Sequence, residues 1–259
     1  MKQFIISSPP DADGFVRLRG ADYRYLARVR RVTVGDGFPA VLPDGSRAHV
    51  EVRAVDARCV VVQCLPHVCE EPHNRAASPP LYLFQAVPRA PKLELIVRQA
   101  AELGVAGVVP FYAERCAVHG TDGTAREERL RAIIRQARQQ CGSPVETTLD
   151  APLPFAAMLE RWHGLQSAVA DARAVFLHEI PLRPAALHRV LSPPPDLVAV
   201  AVGPEGGFSA REAGLFIEAG FSPIIVGNTI LRTETAALYA LAAVRTVLLE
   251  KETWTALKE

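Results

Sequence analysis

The sequence predicts an α/β protein in which a mainly parallel sheet follows a small β-barrel. Residues 1–70 carry short alternating runs separated by the turn signals Pro9-Pro10-Asp11, Val34-Gly35-Asp36-Gly37 and Pro43-Asp44-Gly45, as a small barrel does. From Leu81 onward, short β-branched runs alternate with stretches whose apolar residues recur at helical spacing. That is the pattern of parallel strands joined by helices. Between the two, residues 65–80 (LPHVCEEPHNRAASPP) are polar, proline-bearing and aperiodic. They put a linker at 71–80 between domains of 1–70 and 81–250.

The candidate strands of the first domain are 3–6, 14–18, 37–42, 48–55 and 59–64. Residues 21–32 are basic and aromatic, with Tyr23, Arg24, Tyr25, Arg28, Arg30 and Arg31. Arginine suits phosphate and tyrosine stacks on unpaired bases. A solvated helix with Leu26 and Val29 turned inward explains the same residues, and the two readings stand side by side. In the second domain, 81–87 reads as a buried strand. The helix after it, from Lys92, puts Leu93, Ile96, Val97, Ala100 and Leu103 on one face and stops at Gly104. Residues 107–112 are the next strand. Thr124 and Glu127 have capping-box spacing and open a helix with Leu130, Ile133, Ile134, Ala137 and Cys141 inward. Its arginines, Arg126, Arg129, Arg131, Arg135 and Arg138, read as a solvated face and are also the densest positive charge outside the first domain. Residues 174–177 form a short strand ending at His178-Glu179.

Residues 197–237 carry the chemistry. A β-branched strand at 198–202 stops at Gly203-Pro204-Glu205-Gly206-Gly207, and Ser209 and Glu212 form a capping box for a helix bearing Leu215, Phe216 and Ala219. A second strand at 223–226 leads into residues 227–232, and Thr233 can cap the last long helix, with its stripe Leu241, Val244 and Leu248. As parallel neighbours, the two strands would send both loops from their carboxyl ends, where open α/β sheets bind ligands. A glycine-rich loop lets backbone approach a ligand closely.

GPEGGFS-x-x-E followed by LRTETAAL resembles the signature of the ribosomal RNA small subunit methyltransferase E family. The likeness extends to 93–105, to Glu114-Arg115-Cys116, to Gln140-Cys141-Gly142 and to Arg31-x-x-x-Gly35-Asp36, roughly residues 1–249 in all. The chain departs from the family at Tyr23 and Tyr25 where histidine is common, at Arg98-Gln99 for Gln-Lys, at Gln139 for Glu and at Ser143 for Arg. The resemblance implies a SPOUT-type, trefoil-knotted methyltransferase domain preceded by a PUA-like RNA-binding barrel. It implies S-adenosylmethionine as cofactor, methylation of uridine N3 in small-subunit (16S) ribosomal RNA, free or in an assembling subunit, and a homodimer. The cofactor positions it implies are Leu177, Gly203, Pro204, Glu205, Gly206, Val226, Gly227, Leu231, Arg232, Thr233, Glu234 and Ala236. Arg232 is the expected catalytic contact to uracil, although an ion pair with Glu234 is its plain structural alternative. Glu205 offers negative charge near a sulfonium. Arg24, Arg28, Arg30, Arg31 and Arg89 are the expected RNA contacts.

Composition bounds these readings. At 259 residues the chain can bury a sizeable core, and 49% hydrophobic with 22% charged residues fits a soluble globular protein. No apolar run spans a bilayer, and the first residues lack the apolar segment of a signal peptide, so a cytoplasmic location is expected. Five cysteines, an odd number, argue against a disulfide framework. Cys59, Cys64 and Cys69 are evenly spaced but match no zinc pattern, and His67 and His73 read as surface residues, so no metal is expected. A net charge of +1 leaves RNA binding to a local basic patch. Two other classes compete: a nucleotide- or phosphate-binding α/β protein using the glycine-rich loop, and an RNA-binding module with a decayed catalytic half. The first lacks a P-loop or Gly-x-Gly-x-x-Gly motif; the intact LRTETA segment argues against the second.

Overall fold

A computed structural model describes residues 3–65, 78–117, 124–178, 186–225, 227 and 229–253. The chain divides into two compact units, Met1–Asn74 with Arg138–Pro144, and Arg75–Ala137 with Val145–Glu259. Most of the expected linker, with Cys69, His67 and His73, lies outside the described residues.

The first unit begins with β1 (Phe4–Ile5), β2 (Phe15–Arg19) and α1 (Gly20–Tyr23), and continues through β3 (Gly37–Val41), β4 (Arg47–Val55) and β5 (Cys59–Leu65). Its sheet runs in the order β1-β3-β4-β5-β2, antiparallel except for β1 on β3. Alternation sends Phe38, Val50, Val52, Val60 and Val62 to one core. A register shift between Val52 and Ala54 bends β4 over that core. After α1 the backbone widens into a π-helical stretch, Arg24–Arg30, closed by Arg31 at φ 55°. Leu26 is buried as expected, but Val29 is 70% exposed. A π-helix bonds i to i+5, so residues three apart no longer share a face.

The second unit starts with β6 (Leu81–Ala86), α2 (Ala90–Glu102), β7 (Gly107–Tyr112) and α3 (Thr124–Cys141), whose Thr124 side chain lies outside the described residues. It continues with β8 (Thr148–Leu149), β9 (Leu153–Pro154), α4 (Phe155–Ser167), β10 (Ala172–Leu177) and α5 (Leu187–Val190). The site-bearing elements close it: β11 (Leu197–Val202), α6 (Ala210–Glu218), β12 (Phe221–Ile224) and α7 (Thr233–Thr253). The strand order is β12-β10-β11-β6-β7-β8, with β9 also on β7, and every ladder is parallel.

Parallel strands with helices on both faces must be apolar throughout, and all six residues of β11 are buried. Val198, Val200 and Val202 pack with α2 and α7, whereas Ala199 and Ala201 pack with Met158 and Trp162 of α4 and Phe216 of α6. Two expectations need correction. β11 and β12 are parallel but not neighbours, because β10 lies between them. β12 also starts two residues earlier than expected, at Phe221; the left-handed Gly220 (φ 84°) ends α6 and releases the chain straight into the strand.

Helix α4 had no counterpart in the expected elements. It matters because Trp162 is fully buried and its Nε1 donates to Ala219 O at 3.0 Å, pinning the end of α6. Among the described residues no helix is long and apolar enough to cross a membrane. Trp162→Ala removes both ring and donor and is expected to cost about 3–5 kcal/mol in urea unfolding. Trp162→Phe, which keeps most of the ring, should cost clearly less.

Candidate functional site

Because the sheet is parallel, the segments after β10, β11 and β12 all leave from one end. They enclose a cavity of about 380 Å³. Leu177 and His178 come from the end of β10, Val202 and Gly203–Gly207 from β11, Ile224 and Ile225 from β12, and Thr233 and Ala236 from the first turn of α7.

The glycine-rich loop has its shape for local reasons. Gly207 sits at φ 64° and its N–H donates to Pro204 O at 3.0 Å, closing a tight turn over Glu205 and Gly206. A Cβ on Gly206 would lie 3.1 Å from the Cβ of Arg115, so a larger residue would crowd the neighbouring loop. Phe208 then drops into the aromatic core, stacked on Phe111 and edge-on to Phe216. Ser209 caps α6 as expected: its Oγ accepts from Glu212 N, and Glu212 Oε2 accepts from Ser209 N. The other oxygen of Glu212 accepts from Glu114 N at 2.7 Å. The capping box therefore also holds the Ala113–Cys116 turn, closed by Cys116 N donating to Ala113 O. From that turn Arg115 reaches the cavity wall and donates through Nη1 to Gly206 O at 3.0 Å.

Thr233 behaves differently from the expected cap. It is the first residue of α7, where Arg232 O accepts the first helical N–H, from Ala236. Its hydroxyl donates to Gly203 O at 2.7 Å and accepts from the buried Gln85 Nε2 at 3.1 Å. Lys92, in the first turn of α2, makes a second tie. Its Nζ lies 3.0 Å from Glu205 and 3.3 Å from Glu234. The Glu205 carboxylate raises the ammonium pKa above the ordinary lysine value, with Glu234 adding to it against the opposing effect of burial. Burial pushes the Glu205 carboxyl up, but its own backbone N–H, Lys92 and the Arg89 N–H outweigh that and leave it below the usual range. The Glu205 contribution is lost only as pH falls through its lowered pKa, and that of Lys92 only as pH rises through its raised one, so the Lys92–Glu205 pair is fully charged near neutrality.

The expected cofactor residues fall into three groups. Leu177, Gly203, Pro204, Glu205, Gly206, Gly227, Leu231, Thr233 and Ala236 line the cavity. Arg232 and Glu234 alternate with lining residues without lining it: Arg232 is exposed, and Glu234 pairs with Lys92 rather than with Arg232. Val226 lies outside the described residues. Of the expected RNA contacts, Arg24, Arg28, Arg30 and Arg31 are exposed on the first unit and Arg89 is exposed at the start of α2. Gln139 and Ser143 are buried. Sequence reasoning missed Lys92, Gln85 and Arg115 as site residues. Arg115 had been noted only as part of a matching step. Lys92 and Gln85 acquire their partners only once distant segments meet. Glu212→Ala should cost roughly 2–4 kcal/mol in urea unfolding, because it leaves the Ser209 and Glu114 N–H groups without an acceptor. Glu212→Gln, which keeps an acceptor, should cost less than half of that.

Comparison with known proteins agrees with this geometry. An RNA methyltransferase domain model matches residues 76–245, and an RNA methyltransferase PUA domain model matches 18–63. The ribosomal RNA small subunit methyltransferase E of Mycobacterium bovis is 30% identical over 93% of this chain and 90% of its own. The protein of that name from Synechocystis is 29% identical over 95% of this chain and 78% of its own. Among solved structures, that of the Neisseria gonorrhoeae ribosomal RNA small subunit methyltransferase E bound to S-adenosylmethionine has a TM-score of 0.80 at 23% identity, covering 95% of this chain and 98% of that one. A Legionella pneumophila methyltransferase in complex with the same cofactor has a TM-score of 0.78 at 25% identity, covering 95% and 97%. The matched domain model spans well over half of the residues, including both loops of the cavity, and the chain belongs to the ribosomal RNA small subunit methyltransferase E family of RNA methyltransferases.

Proposed function

We propose that this protein transfers a methyl group from S-adenosylmethionine to N3 of an unpaired uridine in small-subunit ribosomal RNA. The observation that carries the proposal is the cavity formed where the 203–207 loop meets Gly227 and residues 229–231 at the carboxyl ends of β10, β11 and β12. Its volume of about 380 Å³ is within the range of small-molecule sites. The walls suit an adenosine joined to a short polar chain: Leu177, Ile224, Leu231 and Ala236 are apolar, and the glycine-rich backbone lies alongside. When bound, the cofactor supplies an activated methyl on a sulfonium.

The chain's own residues bind, orient and exclude water. Glu205 is committed to Lys92 and serves to hold the loop, which weakens the idea that its charge faces the sulfonium. Uracil N3 carries a proton between two carbonyls; losing that proton to solvent places negative charge on O2 and O4, which the new N–CH3 bond then discharges. A nearby cation lowers the cost. Arg232 is exposed beside the lining residues Leu231 and Thr233 and has no partner among the described residues, and we assign it this contact. N3 lies on the pairing edge, so the target must be single-stranded or extruded.

The rest of the family reading is proposed with it: a knotted second unit, a homodimer, a PUA-like barrel, and a cytoplasmic site of action where ribosomal RNA is. Supporting the knot, β12 lies beyond β10 while α7 returns to pack on α2 and β11. Supporting RNA binding, Arg24, Arg28, Arg30 and Arg31 project from one short π-helical stretch that ends in a left-handed arginine, a costly conformation of the kind found at functional sites.

Titration calorimetry is expected to show binding of S-adenosylmethionine and none of nucleoside triphosphates. Mass mapping of ribosomal RNA from cells lacking the protein should show one N3-methyluridine lost, and an unchanged map would refute the reaction. Arg232→Ala should abolish methyl transfer while leaving most cofactor binding; retained turnover rules out its role. Arg28→Ala should weaken RNA binding and lower the slope of log affinity against log salt by about 1. An unchanged slope would remove Arg28 from the interface.

A further inference from the structure

We infer that Arg115 receives the carboxylate of the methionine moiety when the cofactor is bound. The inference rests on the proposed function and extends it to a residue not among the expected site positions.

Charged side chains at the cavity wall are few. Among the described lining residues they are Arg115 and Glu205, with His178 as a titratable third. Glu205 is paired with Lys92, and Lys92 itself is held by Glu205 and Glu234 without lining the cavity. Arg232 does not line it either. The guanidinium of Arg115 is thus the permanent positive charge left facing this space. It spends one N–H on Gly206 O, and among the described residues it has no carboxylate partner. The remaining donors form a planar fork of the kind that takes a carboxylate in two parallel bonds.

Arg115 is also held for the task. The preceding Glu114 N–H is fixed by the buried Glu212, and the turn is closed at Cys116. Gly206 lies against its Cβ, where an added Cβ would sit 3.1 Å away and crowd it. The backbone is thereby fixed, and the exposed Arg115 side chain is tied at one N–H to Gly206 O, so it has less freedom to lose on binding. S-adenosylmethionine places an anionic carboxylate at the far end of a short chain from an apolar-faced adenine. The cavity offers the same pairing, with apolar walls on β10, β12 and α7 and one cation on the neighbouring loop.

The test compares two donors by titration calorimetry: S-adenosylmethionine, and its decarboxylated form, which keeps adenosine and sulfonium. The wild-type protein should prefer the first by roughly tenfold or more, the scale of a charge-assisted hydrogen bond. In Arg115→Gln that preference should vanish with affinity for the decarboxylated donor largely kept; in Arg115→Ala, which also loses the bond to Gly206 O, it should vanish while both donors weaken. Arg115→Gln still offers a donor to Gly206 O, so it separates charge from loop support. Equal weakening of both donors would mean that Arg115 only holds the loop, and no weakening of either would mean that it does nothing there; each overturns the inference. A wild-type protein that binds neither donor would instead overturn the functional proposal itself.

Discussion

The hydroxyl of Thr233 is the point on which the cavity depends. It donates to Gly203 O and accepts from Gln85 Nε2, so one small side chain fastens the end of β11 to the end of β6 and to the start of α7. Thr233 is 4% exposed and Gln85 is fully buried. A buried polar group without a partner costs more than a made bond gains. A shift of α7 along its axis would break both bonds and strand the buried Thr233 hydroxyl, while Gln85 Nε2 would keep only Ala86 O. Lys92 acts beside it in a softer way. Its ammonium bridges Glu205 and Glu234 across the same two segments, but the three groups are partly exposed and solvent screens them. Position is set by the hydroxyl, and charge ties the more exposed part of the loop to α2 and α7.

The parallel sheet makes this junction possible. With every ladder parallel, the exits of β6, β7, β10, β11 and β12 lie at one end, so residues far apart in sequence are delivered to one small volume. The insertion of β10 between β11 and β12 has a further effect. It separates the two loops by one strand and gives Leu177 and His178 a place between them. Two loops on adjacent strands would leave a crevice; one strand apart, they leave a pocket with a floor.

Local physics made the longer strands, most of the helices and the glycine-rich turn legible in the sequence, but not the two-residue strands β8 and β9. Ser209 and Glu212 announce a helix start within four residues, and the structure contains both reciprocal bonds. β11 is apolar without alternation because both its faces are covered, and that too can be read from six residues. Strand order could not be read this way, since nothing within β12 says that it pairs with β10 rather than β11. The role of Thr233 was hidden for the same reason: its partners lie 148 and 30 residues away, while its local context is that of a cap. Helix α4 is a different case. Met158, Trp162 and Leu165 are spaced as a buried stripe, and the signal was present but diluted by the surrounding Ala, Gly and Pro. The π-helical stretch lies beyond any 3.6-residue template, which is why Val29 was placed on the wrong side.

Charge placement around the cavity follows from these positions. Taken alone, a glutamate in a glycine-rich loop next to a site for a sulfonium invites a direct electrostatic role. The structure gives that glutamate an ammonium 3.0 Å away on a different helix, and a second glutamate shares the same ammonium. Two carboxylates around one cation leave a single net negative charge, spread over the outer rim and exposed enough for solvent to weaken its field. Arg115 is tethered to the same loop by a carbonyl, which is neutral, so its charge is not cancelled. The difference in partner type, carboxylate for Lys92 and carbonyl for Arg115, leaves the first cation neutralised and the second without a carboxylate among the described residues.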